Sequence, residues 1–136
     1  MCRTYCRGIV TPVAAIAQSG LAAATLGLTV SASNLANAND RSAPGSKGAY
    51  APRAVRQTPT PGGGVSAQVV TLKTAQLLVY DPASPVAGVG GMVQTPEIDP
   101  ISEITNQIAA GHAFAFSLEA LQAADDEQKR LLDLKT

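Results

Sequence analysis

Cys2 and Cys6 form a C-x₃-C pair, His112 is the sole histidine, and Asp125-Asp126-Glu127 is the densest run of carboxylates. Two thiols and an imidazole suggest zinc, but a structural zinc needs four ligands and His112 lies far along the chain from the cysteines. One pair makes no disulfide framework, so both thiols read as incidental. A catalytic histidine needs a nucleophile or an orienting acid beside it. No such partner is placed near His112, which reads as a helix-surface or interface residue. The three acids are consecutive, so a helix splays them onto different faces, and a solvated surface is the better reading than a cation site. Gly62-Gly63-Gly64 lacks the Lys-Ser/Thr of a P-loop, and Gly88-x-Gly90-Gly91 lacks dinucleotide spacing; both read as turns. Pro59-x-Pro61 is too short for a polyproline ligand. The residues therefore point away from an enzyme, and no cofactor, metal or small-molecule substrate is expected.

The elements that carry these residues say more than the residues themselves. With 136 residues the chain holds about one domain. Its apolar share is mostly Ala, Val and Leu, and Tyr5, Tyr50, Tyr80, Phe114 and Phe116 are its aromatics. Large rings usually dominate cores, so burial here must come from long, close helix contacts. The formal net charge is zero, which argues against a general nucleic-acid binder. The distribution is uneven, however. Residues 1–73 hold seven basic residues and one acid, whereas residues 74–136 hold nine acids and three basic residues. Such complementary halves favour head-to-tail contacts between copies, or packing of one half on the other.

A helical pattern runs from about Pro12 to Asn37, with Thr11 as N-cap and proline at the first position. Leu21, Leu28 and Leu35 recur every seven residues, as do Ile16, Ala23 and Val30, which is the spacing of a coiled-coil-like seam. Ser19, Ala23, Gly27 and Ser31 form a ridge of small side chains at every fourth position. Gly20 and Gly27 each cost about 1 kcal/mol in a helix interior, so a tightly packed neighbour is their expected reason. A second helix is expected from Pro100 to about Leu134, with Asp99 as N-cap and Glu103 at the positive end of the dipole. Ile101, Ile104, Ile108, Gly111, Ala115, Leu118 and Gln122 step by threes and fours, and Phe114 and Leu121 broaden the stripe. Between the helices lies a segment rich in proline and glycine. Ala51–Gln57, Val65–Leu72, Ala75–Tyr80 and Met92–Gln94 read as short strands, forming a hairpin or a three-stranded patch. The fold class is thus mostly α with a small β insert. The terminal helices make a coiled-coil-like hairpin and the β-rich middle projects from it.

Residues 1–39 also imitate a secretory signal, with Arg3 and Arg7 ahead of an apolar run and Ala36-Asn37-Ala38 as a cleavage-like site. The run is longer than an ordinary signal core, and Gln18, Ser19, Thr25 and Thr29 interrupt it. Those residues and Pro12 also make a membrane span a poor reading. The alternative function is a periplasmic binding or adhesion module behind a cleaved signal peptide.

Two stretches carry a resemblance. Ser19-Gly20-Leu21, followed by Asn34-Leu35-Ala36-Asn37-Ala38-Asn39, resembles the N-terminal signature of flagellar axial proteins. Tyr80-Asp81-Pro82-Ala83-Ser84-Pro85, Gly91-Met92-Val93 and Pro96-Glu97-Ile98-Asp99-Pro100 are similar, in that order, to proximal rod proteins of the C type in the bacterial flagellar basal body. Departures occur at Gly111-His112-Ala113-Phe114-Ala115-Phe116, at the acidic run and in the first ten residues. The resemblance implies a structural rod subunit that self-assembles through its terminal helices into the drive shaft across the periplasm. It implies export through the flagellar type III apparatus and partners among itself, other rod proteins, basal-body ring proteins and export-gate junction proteins. In that frame residues 1–39 and 100–136 are the helices of the axial core and residues 40–99 the insert, with Asn34 and Asn37 joining the two helix stripes as assembly residues.

Overall fold

The computed structural model describes residues 7–46, 50–72 and 76–134, with side chains from residue 12 onward; Cys2 and Cys6 lie outside the described residues. Helix α1 spans Arg7–Ala36 and helix α2 spans Pro100–Asp133. Between them come β1 (Arg53–Pro59), β2 (Val65–Thr71), β3 (Gln76–Tyr80) and β4 (Met92–Pro96).

Helix α1 begins before the expected start, so Pro12 sits inside it. A proline removes one backbone hydrogen bond, and close to a helix end few further bonds depend on it. An asparagine closes the far end. Asn37 Nδ2 donates to the Ser33 carbonyl at 2.7 Å, closing the last turn, and Asp40 N–H then donates to the Asn37 carbonyl. Pro12–Ala36 is long and apolar enough by composition to cross a membrane. In the fold it lies instead against α2, β1 and β2.

Helix α2 starts as its sequence dictates. Asp99 is the N-cap, its carboxylate accepting from the amides of Ile101 and Ser102 at 3.2 Å, and Pro100 supplies the pre-set φ of the first turn. At about 1.5 Å per residue its 34 residues make a rod about 50 Å long. The two helices pack antiparallel along their length.

The middle segment forms two separate two-stranded antiparallel sheets rather than a three-stranded patch. β1 pairs with β2 from Arg53↔Thr71 to Pro59↔Val65, turning through Gly63 and Gly64, both at positive φ. β3 pairs with β4, not with β2, in register Gln76↔Pro96 to Tyr80↔Met92. Ser42 exchanges backbone hydrogen bonds with Gln94 on the far side of β4, so a short piece of the loop after α1 takes the third-strand position. The expectation that the β-rich segment projects needs correction for its first half. The β1–β2 hairpin lies along α1, whereas the β3–β4 ribbon packs against neither helix. The ribbon is tied to the preceding loop by the Arg41–Asp81 ion pair and by Gly45 N–H donating to Gln94 Oε1.

Candidate assembly surface

Contacts between the helices recur at seven-residue intervals and involve small side chains. A Cβ on Gly20 would stand 2.6 Å from Ser117 Oγ, and one on Gly27 would stand 3.3 Å from the Ala110 Cβ. One heptad further, Asn34 Nδ2 donates to Glu103 Oε1 at 2.8 Å. The glycines are therefore where the backbones come closest, the role their spacing indicated. Ala17, Ala23, Ala24, Val30, Ser31 and Asn34 are buried on α1.

On α2 the protected row is Glu103, Gln107, Ala110, Ser117, Leu121 and Ala124, with Phe114 at the outer edge of the same row. This is three-four spacing, but displaced by one residue, about 100° of helix rotation, from the expected seam. The expected seam faces solvent: Ile101 is 77% exposed, Ile104 47% and Ile108 58%, and Leu118 is also exposed. The period was legible and the face was not. Close approach at Gly20 and Gly27 leaves no room for isoleucines between the helices, so α2 turns its alanine and serine edge inward. Leu21, Leu28 and Leu35 are half-buried on α1, flanking the contact. Gly111 has open space around it. His112 is exposed and stacks on Phe116 with ring centroids 6.2 Å apart.

The other side of α1 holds the hairpin by both ends. Ser19 Oγ accepts from Val65 N–H at 3.1 Å, and the glycine turn crosses Ile16 and Ser19 so closely that a Cβ on Gly64 would reach 2.4 Å from Ser19 Oγ. At the base, the Asn34 carboxamide pairs with Arg53 as a neighbouring strand would. Its Oδ1 accepts from Arg53 N–H at 3.0 Å and its Nδ2 donates to the Arg53 carbonyl at 2.7 Å. Tyr50 O–H donates to the same Oδ1 at 2.8 Å. Asn34 is 1% exposed and uses its full hydrogen-bonding capacity. Sequence reasoning gave Asn34 and Ser19 an assembly role and missed this one. Tyr50, Arg53 and Ser117 carry no such signal in the sequence, because no periodicity marks a residue that contacts through polar atoms, and Glu103 is marked there only by its place in the first turn of α2.

The hairpin and α2 flank α1 without packing on each other. Between them runs a trough of about 710 Å³ whose floor is Gly20, Ala23, Ala24, Gly27, Val30 and Ser31. Among the described residues the basic and acidic halves meet in one ion pair, Arg41–Asp81; the other, Lys129–Asp126 at 3.5 Å, is local to α2. No group of described residues is arranged to hold a metal.

No protein-family model matches the chain. Curated proteins do. The chain is 35% identical over 124 residues to the flagellar basal-body rod protein FlgC of Salmonella typhimurium, covering 88% of this chain and 92% of that protein. FlgC of Escherichia coli O157:H7 is 34% identical over the same length and coverage. FlgC of Buchnera aphidicola is 30% identical over 118 residues, 80% of this chain and 85% of that one.

Proposed function

The chain belongs to the FlgC family of flagellar basal-body rod proteins, and on that premise we propose that it assembles through the solvent-facing side of α2, with α1 and the β1–β2 hairpin as the surface that receives a neighbour. It is a structural subunit of the basal-body rod. The observation that carries the assembly reading is the exposed Ile101-Ile104-Ile108 face on a helix whose opposite side is already occupied by α1.

The paired helices act as a coiled-coil-like unit whose inner seam is small and polar and whose outer seam is apolar. Other rod subunits, ring proteins and export-gate junction proteins are the partners that a rod position implies, and non-closing contacts between copies give a helical array. Export through the type III apparatus fits a chain whose first helix is needed after delivery. Cleavage after Ala36 would remove α1, against which both α2 and the hairpin pack, and this weighs against the secreted-module reading.

The test is complementation of a strain lacking its own copy, followed by mass spectrometry of purified hook–basal bodies. The wild-type chain is expected in the basal body with its α1 peptides. An Ile104→Asp/Ile108→Asp double variant is expected to fold and to be missing from it. Normal incorporation of that variant would overturn the assembly surface.

A further inference from the structure

We propose that the free edge of β3 pairs antiparallel with the free edge of β2 in a second copy of this chain, an assembly contact that rests on the rod reading.

The hydrogen-bond pattern shows which backbone groups are free. In an antiparallel pair, residues directly opposite either bond each other or both turn their N–H and C=O outward. Gln94 exchanges both bonds with Ser42, so the residue opposite it, Leu78, turns both groups away from β4. By alternation Gln76 and Tyr80 do the same. Arg53 gives both backbone groups to Asn34, so the residue opposite it, Thr71, turns away from β1, as do Val69 and Ala67. Among the described residues no backbone partner meets either row on its outer side.

The remaining edges are closed. β1 has Asn34 at its base and carries Arg53, Arg56 and Pro59, while β4 has Ser42 beside it and ends at Pro96. Charge, proline and a covering segment are the devices that keep strand edges from pairing. β2 and β3 contain no charged residue and no proline. Val69, Leu78 and Tyr80 are 42%, 60% and 68% exposed.

Both edges belong to one chain, yet β2 and β3 do not meet within it. Asn34 and Ser19 fasten the hairpin to α1, whereas Ser42 and the Arg41–Asp81 pair fasten the ribbon to the loop after α1. A second copy is the occupant that serves both edges with one kind of contact. Setting Thr71, Val69 and Ala67 opposite Gln76, Leu78 and Tyr80 of the second copy aligns every free group of both rows. It also sets Val70 beside Leu77 on one face and Val69 beside Leu78 on the other. Pairing β3 with β3, or β2 with β2, closes with two copies and leaves the other edge bare. Pairing β2 with β3 is heterologous and propagates, as a rod requires.

The experiment uses full-length chain with Cys2→Ser and Cys6→Ser, in assembled basal bodies. Val69→Cys and Leu78→Cys in this chain put thiols on opposed residues whose Cα atoms would lie about 5.5 Å apart, within disulfide reach. Mild oxidation is expected to give a ladder at multiples of the chain's mass, and neither cysteine alone is expected to give dimers. In parallel, Leu78→Pro removes the outward N–H and keeps the bonds to β4, and Leu78→Lys places a charge on the edge. Each is expected to lower incorporation about tenfold. Circular dichroism on the purified variants separates misfolding from lost pairing. A disulfide confined to single chains, dimers from Leu78→Cys alone, no multiples at all, or normal incorporation of both Leu78 variants overturns the pairing. The rod reading survives those results, since the chain is still in the basal body. Absence of the wild-type chain from basal bodies would remove both.

Discussion

Asn34 is the residue whose replacement tests the architecture most directly. One side chain joins α1 to α2 through Glu103, to β1 through both backbone groups of Arg53, and to the loop before β1 through Tyr50. Asn34→Ala breaks all four hydrogen bonds. Glu103 and Tyr50 are half-buried and recover water, whereas the backbone groups of Arg53 face a helix and recover little. An orphaned buried donor or acceptor costs about 1–3 kcal/mol, so a loss of about 3 kcal/mol is expected, a large share of the stability of a small domain. Asn34→Asp keeps the shape and the acceptor while replacing the amide donor with an oxygen. That oxygen faces the Arg53 carbonyl at 2.7 Å and the Glu103 carboxylate at 2.8 Å. The cost of about 3–5 kcal/mol is that of an uncompensated buried charge.

The two substitutions differ in pH dependence. The introduced carboxyl is destabilised when ionised, so its pKa in the folded state is raised above the unfolded value. Its penalty is present at neutral pH and is lost as pH falls through that raised value, since the protonated form donates again. The gap between Asn34→Asp and wild type therefore narrows on acidification, whereas the Asn34→Ala gap does not. Urea unfolding followed by circular dichroism at pH 7 and pH 5 measures both. Hydrogen exchange should show the β1–β2 amides losing protection before those of α1 and α2. An Asn34→Ala effect below about 0.5 kcal/mol, with hairpin protection intact, would refute the reasoning.

Gly27→Val places branched carbons where even a Cβ stands 3.3 Å from Ala110, and should cost about 1–3 kcal/mol in overpacking, measured by thermal unfolding. Gly111→Ala, at a glycine with nothing within 4 Å, should instead stabilise α2 by up to about 1 kcal/mol in the same assay. Asp99→Ala removes the cap of α2 and should cost about 1 kcal/mol, with fraying of the first turn seen by amide exchange. Ile104→Asp should leave monomer stability within about 0.5 kcal/mol, because a half-exposed side chain on the free face is replaced, while abolishing incorporation into basal bodies.

The sequence made element type and the seven-residue period legible because both are local. Asp99-Pro100 starts a helix by the chemistry of those two residues, and Gly20 and Gly27 signal a close neighbour because nothing else explains glycine there. The strands were found with ends shifted by a residue or two, since Ala51 and Pro52 are as extended-prone as Arg53. Which sheet each strand joins was not legible. β3 pairs with β4 rather than β2 through contacts distant in sequence, and alternation within a strand names no partner. The face of α2 was misassigned for a related reason. Periodicity marks the most apolar row, and the rule that this row faces the chain's own core assumes that the chain is the whole assembly.

That failure is itself evidence about function. In a monomeric hairpin the most apolar row of each helix is buried against the other, because transfer of that surface out of water is what drives the pairing. Here α2 offers α1 its alanines, a serine, a glutamine, a glutamate and the half-buried Leu121, and keeps Ile101, Ile104 and Ile108 outside. Burying each of those side chains is worth about 1.5–3 kcal/mol, and the chain alone leaves much of it unrealised. The internal seam is consequently held by close backbone approach and the Asn34 hydrogen bonds, a combination that fixes register more than it adds stability. On the proposed assembly surface, a subunit built this way would gain that apolar burial from its neighbours, which suits a structural subunit of the rod.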